Sequence, residues 1–162
     1  MINFQKSGDG FSRGATKRIY RAAIITTNEF FAANGATQMS AMTVITNTIN
    51  SWNIIYEKDL AVTFVIQLTK IYGDAGTDPD LFTPDTQTGA LSRTNQAKIA
   101  LDNNFNINDY DIGHVFHKTT SGDGWSGGGV AQIQAVCTAN KGRAWSSSSN
   151  NTSNGWIRLS GT

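Results

Sequence analysis

From Lys17 to Thr26 the apolar positions run together without alternation, with Ile19, Tyr20, Ala22, Ala23, Ile24 and Ile25 close on one another. A β-branched run of this kind predicts a strand covered on both faces, hence a central strand. Asn28 to Ala33 is short and amphipathic and stops at Asn34-Gly35, a helix end. The period then changes. Ala41, Val44, Ile45, Thr48, Ile49, Trp52, Ile55 and Tyr56 recur at spacings of three and four, which predicts a long amphipathic helix with Thr37 near its N-cap. Lys58 and Asp59 interrupt it, and Leu60 to Leu68 reads as a second strand through Ala61, Val62, Phe64, Val65 and Ile66. Strand, helix and strand over this distance predict a crossover in a parallel sheet.

Asp74 to Gly89 holds both prolines, Pro79 and Pro84, among Asp and Thr, and reads as a surface loop. Ser92 can cap a second long helix, Arg93 to Phe105, with Ala97, Ala100, Leu101 and Phe105 as its apolar stripe. Tyr110 to Phe116 is a third strand. After the glycine-rich turn Gly122 to Gly129, Val130 to Cys137 is expected as a fourth strand and Gly142 to Trp145 as the start of a fifth. Three stretches follow: residues 1–14 as a flexible leader, 15–145 as one α/β subdomain, and 146–162 as a Ser/Asn-rich tail. No internal repeat is visible.

A chain of 162 residues makes one domain, large enough to bury a core without staples. Its net charge of +1, with basic residues scattered apart from Lys17, Arg18 and Arg21, gives no footprint for nucleic acid. No apolar stretch approaches the ~20 residues that span a bilayer. The low charge with much Ser, Thr, Asn and Gly suggests a secreted or extracellular domain. The single cysteine, Cys137, excludes an internal disulfide and is expected to be a reduced thiol, shielded at the end of an apolar strand.

His114 and His117 are three apart, a spacing that suits a metal on a helix but puts them on opposite faces of a strand. Asp74, Asp78, Asp80, Asp85, Asp109 and Asp111 bring hard oxygen ligands without the spacing of a calcium loop. Gly124-Trp125-Ser126-Gly127-Gly128 matches the form of a hydrolase elbow but precedes a strand instead of a helix. Trp125, Trp145 and Trp156 remain for a sugar-stacking surface once Trp52 is assigned to the core.

The resemblance to a family rests on five local phrases in order: Tyr20-Arg21-Ala22-Ala23, Ile55 to Val62, Asn95-Gln96-Ala97, Tyr110 to Phe116, and Gly128-Gly129-Val130-Ala131 leading to Val136-Cys137. Together they resemble the N-terminal (upper) subdomain of bacterial reprolysin-like metzincin metallopeptidases. That resemblance implies a three-layer α/β fold, a twisted mixed sheet of about five strands with two long helices and an antiparallel edge strand. It also implies a secreted zinc-dependent endopeptidase whose edge strand, here Gly128, Gly129, Val130, Ala131 and Gln132, holds an extended peptide or protein substrate by β-augmentation. The family's H-E-x-x-H zinc helix is absent, since the only glutamates are Glu29 and Glu57 and the only histidines His114 and His117. The chain is therefore expected to hold no zinc of its own, to be inactive as it stands, and to be a truncated part of such an enzyme. Two alternatives stand beside this: a non-catalytic secreted or surface module that binds or self-assembles through the edge strand, and an all-β carbohydrate-binding domain.

Overall fold

The computed structural model describes residues 16–83, 92–120 and 127–148. Its elements in chain order are β1 (Arg18–Thr26), α1 (Asn28–Ala33), α2 (Gln38–Leu60), β2 (Val62–Ile71), α3 (Arg93–Asn104), a 3-10 turn (Ile107–Asp109), β3 (Ile112–Lys118), β4 (Gly127–Ala131) and β5 (Ala144–Ser148). They form one five-stranded mixed sheet in the order β2-β1-β3-β5-β4. The first four strands of that order run parallel, and β4 runs antiparallel to β5. Helices on both faces exclude the all-β alternative.

The apolar run Ala22 to Ile25 in the second half of β1 follows from its place between β2 and β3, with a helix layer on each side. Ala22 and Ile24 join Phe30, Ala41, Ile45, Ile49, Trp52 and Phe116 in a core under α1 and α2. Ala23 and Ile25 point the other way, to Phe82, Ala97, Leu101, Tyr110, Val115 and Trp145 beneath α3. Thr37 caps α2 as its position predicts, its hydroxyl accepting from the Ser40 amide at 3.1 Å.

Several boundaries differ from the sequence reading, each for a local reason. Lys58 and Asp59 do not interrupt α2; they are solvent-facing residues of its last turn, and Ile55 is turned outward with them. The helix stops after Leu60, where Ala61 takes a left-handed φ of 55° and donates its amide to Tyr56 O. Leu60 and Ala61 thus belong to the helix end, and β2 runs on to Ile71. Ser92 stands at the start of α3, but no side-chain cap forms; its hydroxyl lies 3.2 Å from Thr94 Oγ1.

The fourth strand is displaced most. It occupies Gly127–Ala131, not Val130 to Cys137, and the chain beyond Gln132 is a series of turns with Gln134 at φ 58° and Cys137 at φ 60°. Left-handed residues break a ladder, and Ile133 is exposed there, so no apolar face exists for a strand to bury. β5 runs on to Ser148, three residues into the Ser/Asn-rich segment. The 1–14 leader, Pro84 with the rest of the loop to residue 91, Trp125 and Ser126 of the elbow match, and the tail from residue 149, including Trp156, lie outside the described residues.

Candidate functional site

β5 is the scaffold on which the sheet's outer edge is built. Its sequence Ala-Trp-Ser-Ser-Ser is buried throughout, so its small hydroxyls must be satisfied internally. Ser146 Oγ lies 2.9 Å from His114 Nε2, and Ser147 shares a hydrogen bond with Thr119. Against β5, β4 pairs Gly127 with Ser148, Gly129 with Ser146, Val130 with Trp145 and Ala131 with Ala144.

The direction of each β4 backbone group follows from one bond at the end of this ladder. The Gln132 amide donates to Arg143 O at 2.9 Å, its directly opposite partner in the same register. In an antiparallel pair hydrogen-bonded and non-hydrogen-bonded positions alternate, so Gln132, Val130 and Gly128 turn their N–H and C=O toward β5. Gly129 and Ala131 turn theirs away from the sheet. Val130 shares the face of Trp145, above α3, and is half exposed. Gly128 has φ 145°, a conformation open to glycine and costly for any residue with a Cβ. Gly127 to Gln132 carries no charge and no side chain larger than glutamine, so an extended backbone can approach the edge closely.

The histidines are held apart. His114 packs on Trp52 and Phe116 at ring distances of 5.6 and 4.9 Å, and burial holds its imidazole down to about 3, so it is neutral. His117 faces the other side, with Nδ1 2.9 Å from Thr27 Oγ1 and 3.5 Å from Glu29 Oε2. Desolvation acts to raise the Glu29 carboxyl, but its bonds to His117 and neighbouring groups outweigh that and hold it below its usual value.

Asp74, Asp78, Asp80 and Asp111 are committed locally as well, and Asp85 lies outside the described residues. Asp78 pairs with Lys70 at 3.0 Å, and Asp111 binds Arg21, which holds its carboxyl low. Asp80 accepts from the Asn28 and Phe82 amides, yet burial raises its pKa. Asp74 closes its own turn on the Gly76 amide. Among the described residues no three His, Cys, Asp or Glu side chains converge on a point that could hold a metal ion. With two histidines on opposite faces and no H-E-x-x-H run, the residues present do not fit a metzincin zinc site.

Two further expectations change. Cys137 is exposed, not shielded, because its segment is a turn and not the end of a buried strand. Trp145 is buried against Phe82 with its ring under Arg93, which removes it from any sugar-stacking surface. The outward parity of Gly129 and Ala131 could not be read from the sequence, since it depends on the β4–β5 register. No helix among the described residues is long and apolar enough to cross a membrane.

Comparison with known families places one match on this framework: the model of metallo-peptidase family M12B, reprolysin-like, matches residues 42–158. That span runs from the first turns of α2 through β5 and takes in the whole β4 edge. Comparison with curated proteins gives no match.

Proposed function

The chain belongs to the reprolysin-like family of metallopeptidases, and from that premise we propose that it forms the peptide-holding upper part of a secreted zinc-dependent endopeptidase. In this reading an extended peptide or protein segment adds to the sheet as a strand next to β4. The observation that carries it is the outward pair of N–H and C=O groups on Gly129 and Ala131, in a segment that is uncharged and half glycine. Gly128, Val130 and Gln132 hold β4 against β5, so all five residues serve the same edge in two roles.

The same reading makes residues 1–162 inactive alone. Zinc in a complete metzincin supplies the polarised water, and the side chains here lack the three-ligand set that holds it. Peptide binding and peptide cleavage are thereby separated, and they can be tested separately. A blocked, uncharged hexapeptide of Ala, Val and Thr should bind the purified chain saturably, and absence of binding removes the edge reading. A quenched fluorogenic peptide incubated with the chain and zinc should stay intact, and chelator-sensitive cleavage would show that a metal site has been missed. Secretion is checked by recovery of the native protein from the culture medium.

A further inference from the structure

The sheet has a second edge, β2, which is longer than β4 and whose sequence is suited to pairing with itself. Thr63-Phe64-Val65-Ile66-Gln67-Leu68 has high β-propensity and holds neither charge nor proline. Six-residue windows of that composition, placed on a free edge, template another copy of themselves. Val65 points into solvent with 46% of its surface exposed.

Yet the edge is not bare. Ala61 O accepts from the Arg18 amide at 2.8 Å and the Tyr72 amide donates to Thr26 O at 3.2 Å, so residues 61 and 72 face the neighbouring β1. By alternation Phe64 and Ile71 face outward, the register shift opposite Ala22/Ala23 taking up the odd residue between them. Asn53, on α2, meets Phe64 there: its Nδ2 donates to Phe64 O at 2.9 Å and its Oδ1 accepts from the Phe64 amide at 2.8 Å. A carboxamide carries the same donor and acceptor as a peptide unit, so this side chain occupies both groups that Phe64 would offer a neighbouring strand. Gln38, at the other end of α2, adds a donor to Ile71 O at 3.3 Å.

We propose that Asn53 is an edge guard, and that β2 is a latent interface for the β2 strand of a second copy of this chain, closed in the native protein by that amide. The partner is a second copy because the window is self-complementary: two β2 edges related by a two-fold axis present the same uncharged residues to each other. No part of this depends on peptide binding at β4.

The test compares the full chain with Asn53→Ala and with Asn53→Ala/Val65→Lys by sedimentation velocity over a concentration series, with circular dichroism to show that each is folded. With rising concentration Asn53→Ala should climb toward twice the weight-average mass of the wild-type chain and level off there, and the added lysine should return it to the wild-type value. A folded Asn53→Ala that sediments like the wild type overturns the proposal. So does association that Val65→Lys fails to reverse, since the contact then lies elsewhere. If Asn53→Ala does not fold, amide hydrogen exchange on the wild-type chain decides. Phe64 should exchange more slowly than the outward-facing amide of Ile66, and equal rates would show that no guard is in place.

Discussion

Ala131→Pro and Gln132→Pro should damage different properties, although they are adjacent. Ala131 lies opposite Ala144 at a non-hydrogen-bonded position, so proline there removes an amide that points away from the sheet and leaves the β4–β5 ladder intact. A peptide paired at the edge loses one bond, worth a net ~0.5–1.5 kcal/mol, which weakens binding by about two- to thirteen-fold. The ring methylene stands where the peptide carbonyl must approach, which moves the loss toward the upper figure. Gln132 donates to Arg143 O at 2.9 Å. Proline at that position breaks the ladder and costs about 1–3 kcal/mol of stability, with peptide affinity of the folded fraction unchanged. Peptide titration by calorimetry and urea unfolding of both variants read the two effects independently. If Ala131→Pro lowers stability and spares affinity, or Gln132→Pro weakens binding while fully folded, the assignment of inward and outward groups is wrong.

The remaining expectations concern the core and the turns. Gly113→Ala should destabilise the fold by about 1–3 kcal/mol in urea unfolding, because its Cβ would stand 2.5 Å from Leu101 Cδ1 and 3.1 Å from the Gly142 backbone; an unchanged midpoint would show that α3 is not closely seated. Folding lowers the His114 pKa from 6.5 to about 3, so as pH falls below 6.5 the unfolded chain takes up a proton that the folded chain refuses, and stability is lost progressively toward pH 3. His114→Phe should therefore lose less stability than the wild type between pH 7.5 and pH 5, and equal losses would contradict the neutral, desolvated ring. Cys137 should react quantitatively with a thiol reagent under native conditions, whereas labelling only after denaturation would place it inside the fold.

The elements governed by burial were legible in the sequence, and those governed by turns were not. β1 announced itself through Ala22 to Ile25, because a stretch of strand covered on both faces is apolar at consecutive positions, and α1 matched its reading from Asn28 to Ala33. The core face of α2 was visible in Ala41, Ile45, Thr48, Ile49 and Trp52. Its end was obscured because Lys58 and Asp59 look like an interruption, while the stop is a backbone conformation at Ala61. β4 was misplaced because Val130, Gln132, Gln134 and Val136 share one parity yet mix polar and apolar residues. That pattern defines no face, and the glycines that do form the strand carry no hydrophobic signal. The expectation of a peptide-holding edge rests on resemblance alone, whereas the outward direction of Gly129 and Ala131 required the register. Asn53 had no local signal at all, since its partner Phe64 lies across the helix end on another element.

Uptake of an extended peptide by β4 through Gly129 and Ala131 is read out by site-resolved amide hydrogen exchange of residues 127–132, with and without saturating peptide. In the free chain the Val130 and Gln132 amides, turned to β5, should already exchange slowly, and those of Gly129 and Ala131 should exchange fast. Bound peptide should slow Gly129 and Ala131 and leave Val130 and Gln132 as they were. Protection that appears along β2 instead, or peptide binding that leaves the Gly129 and Ala131 amides exchanging at their free rates, would contradict the account.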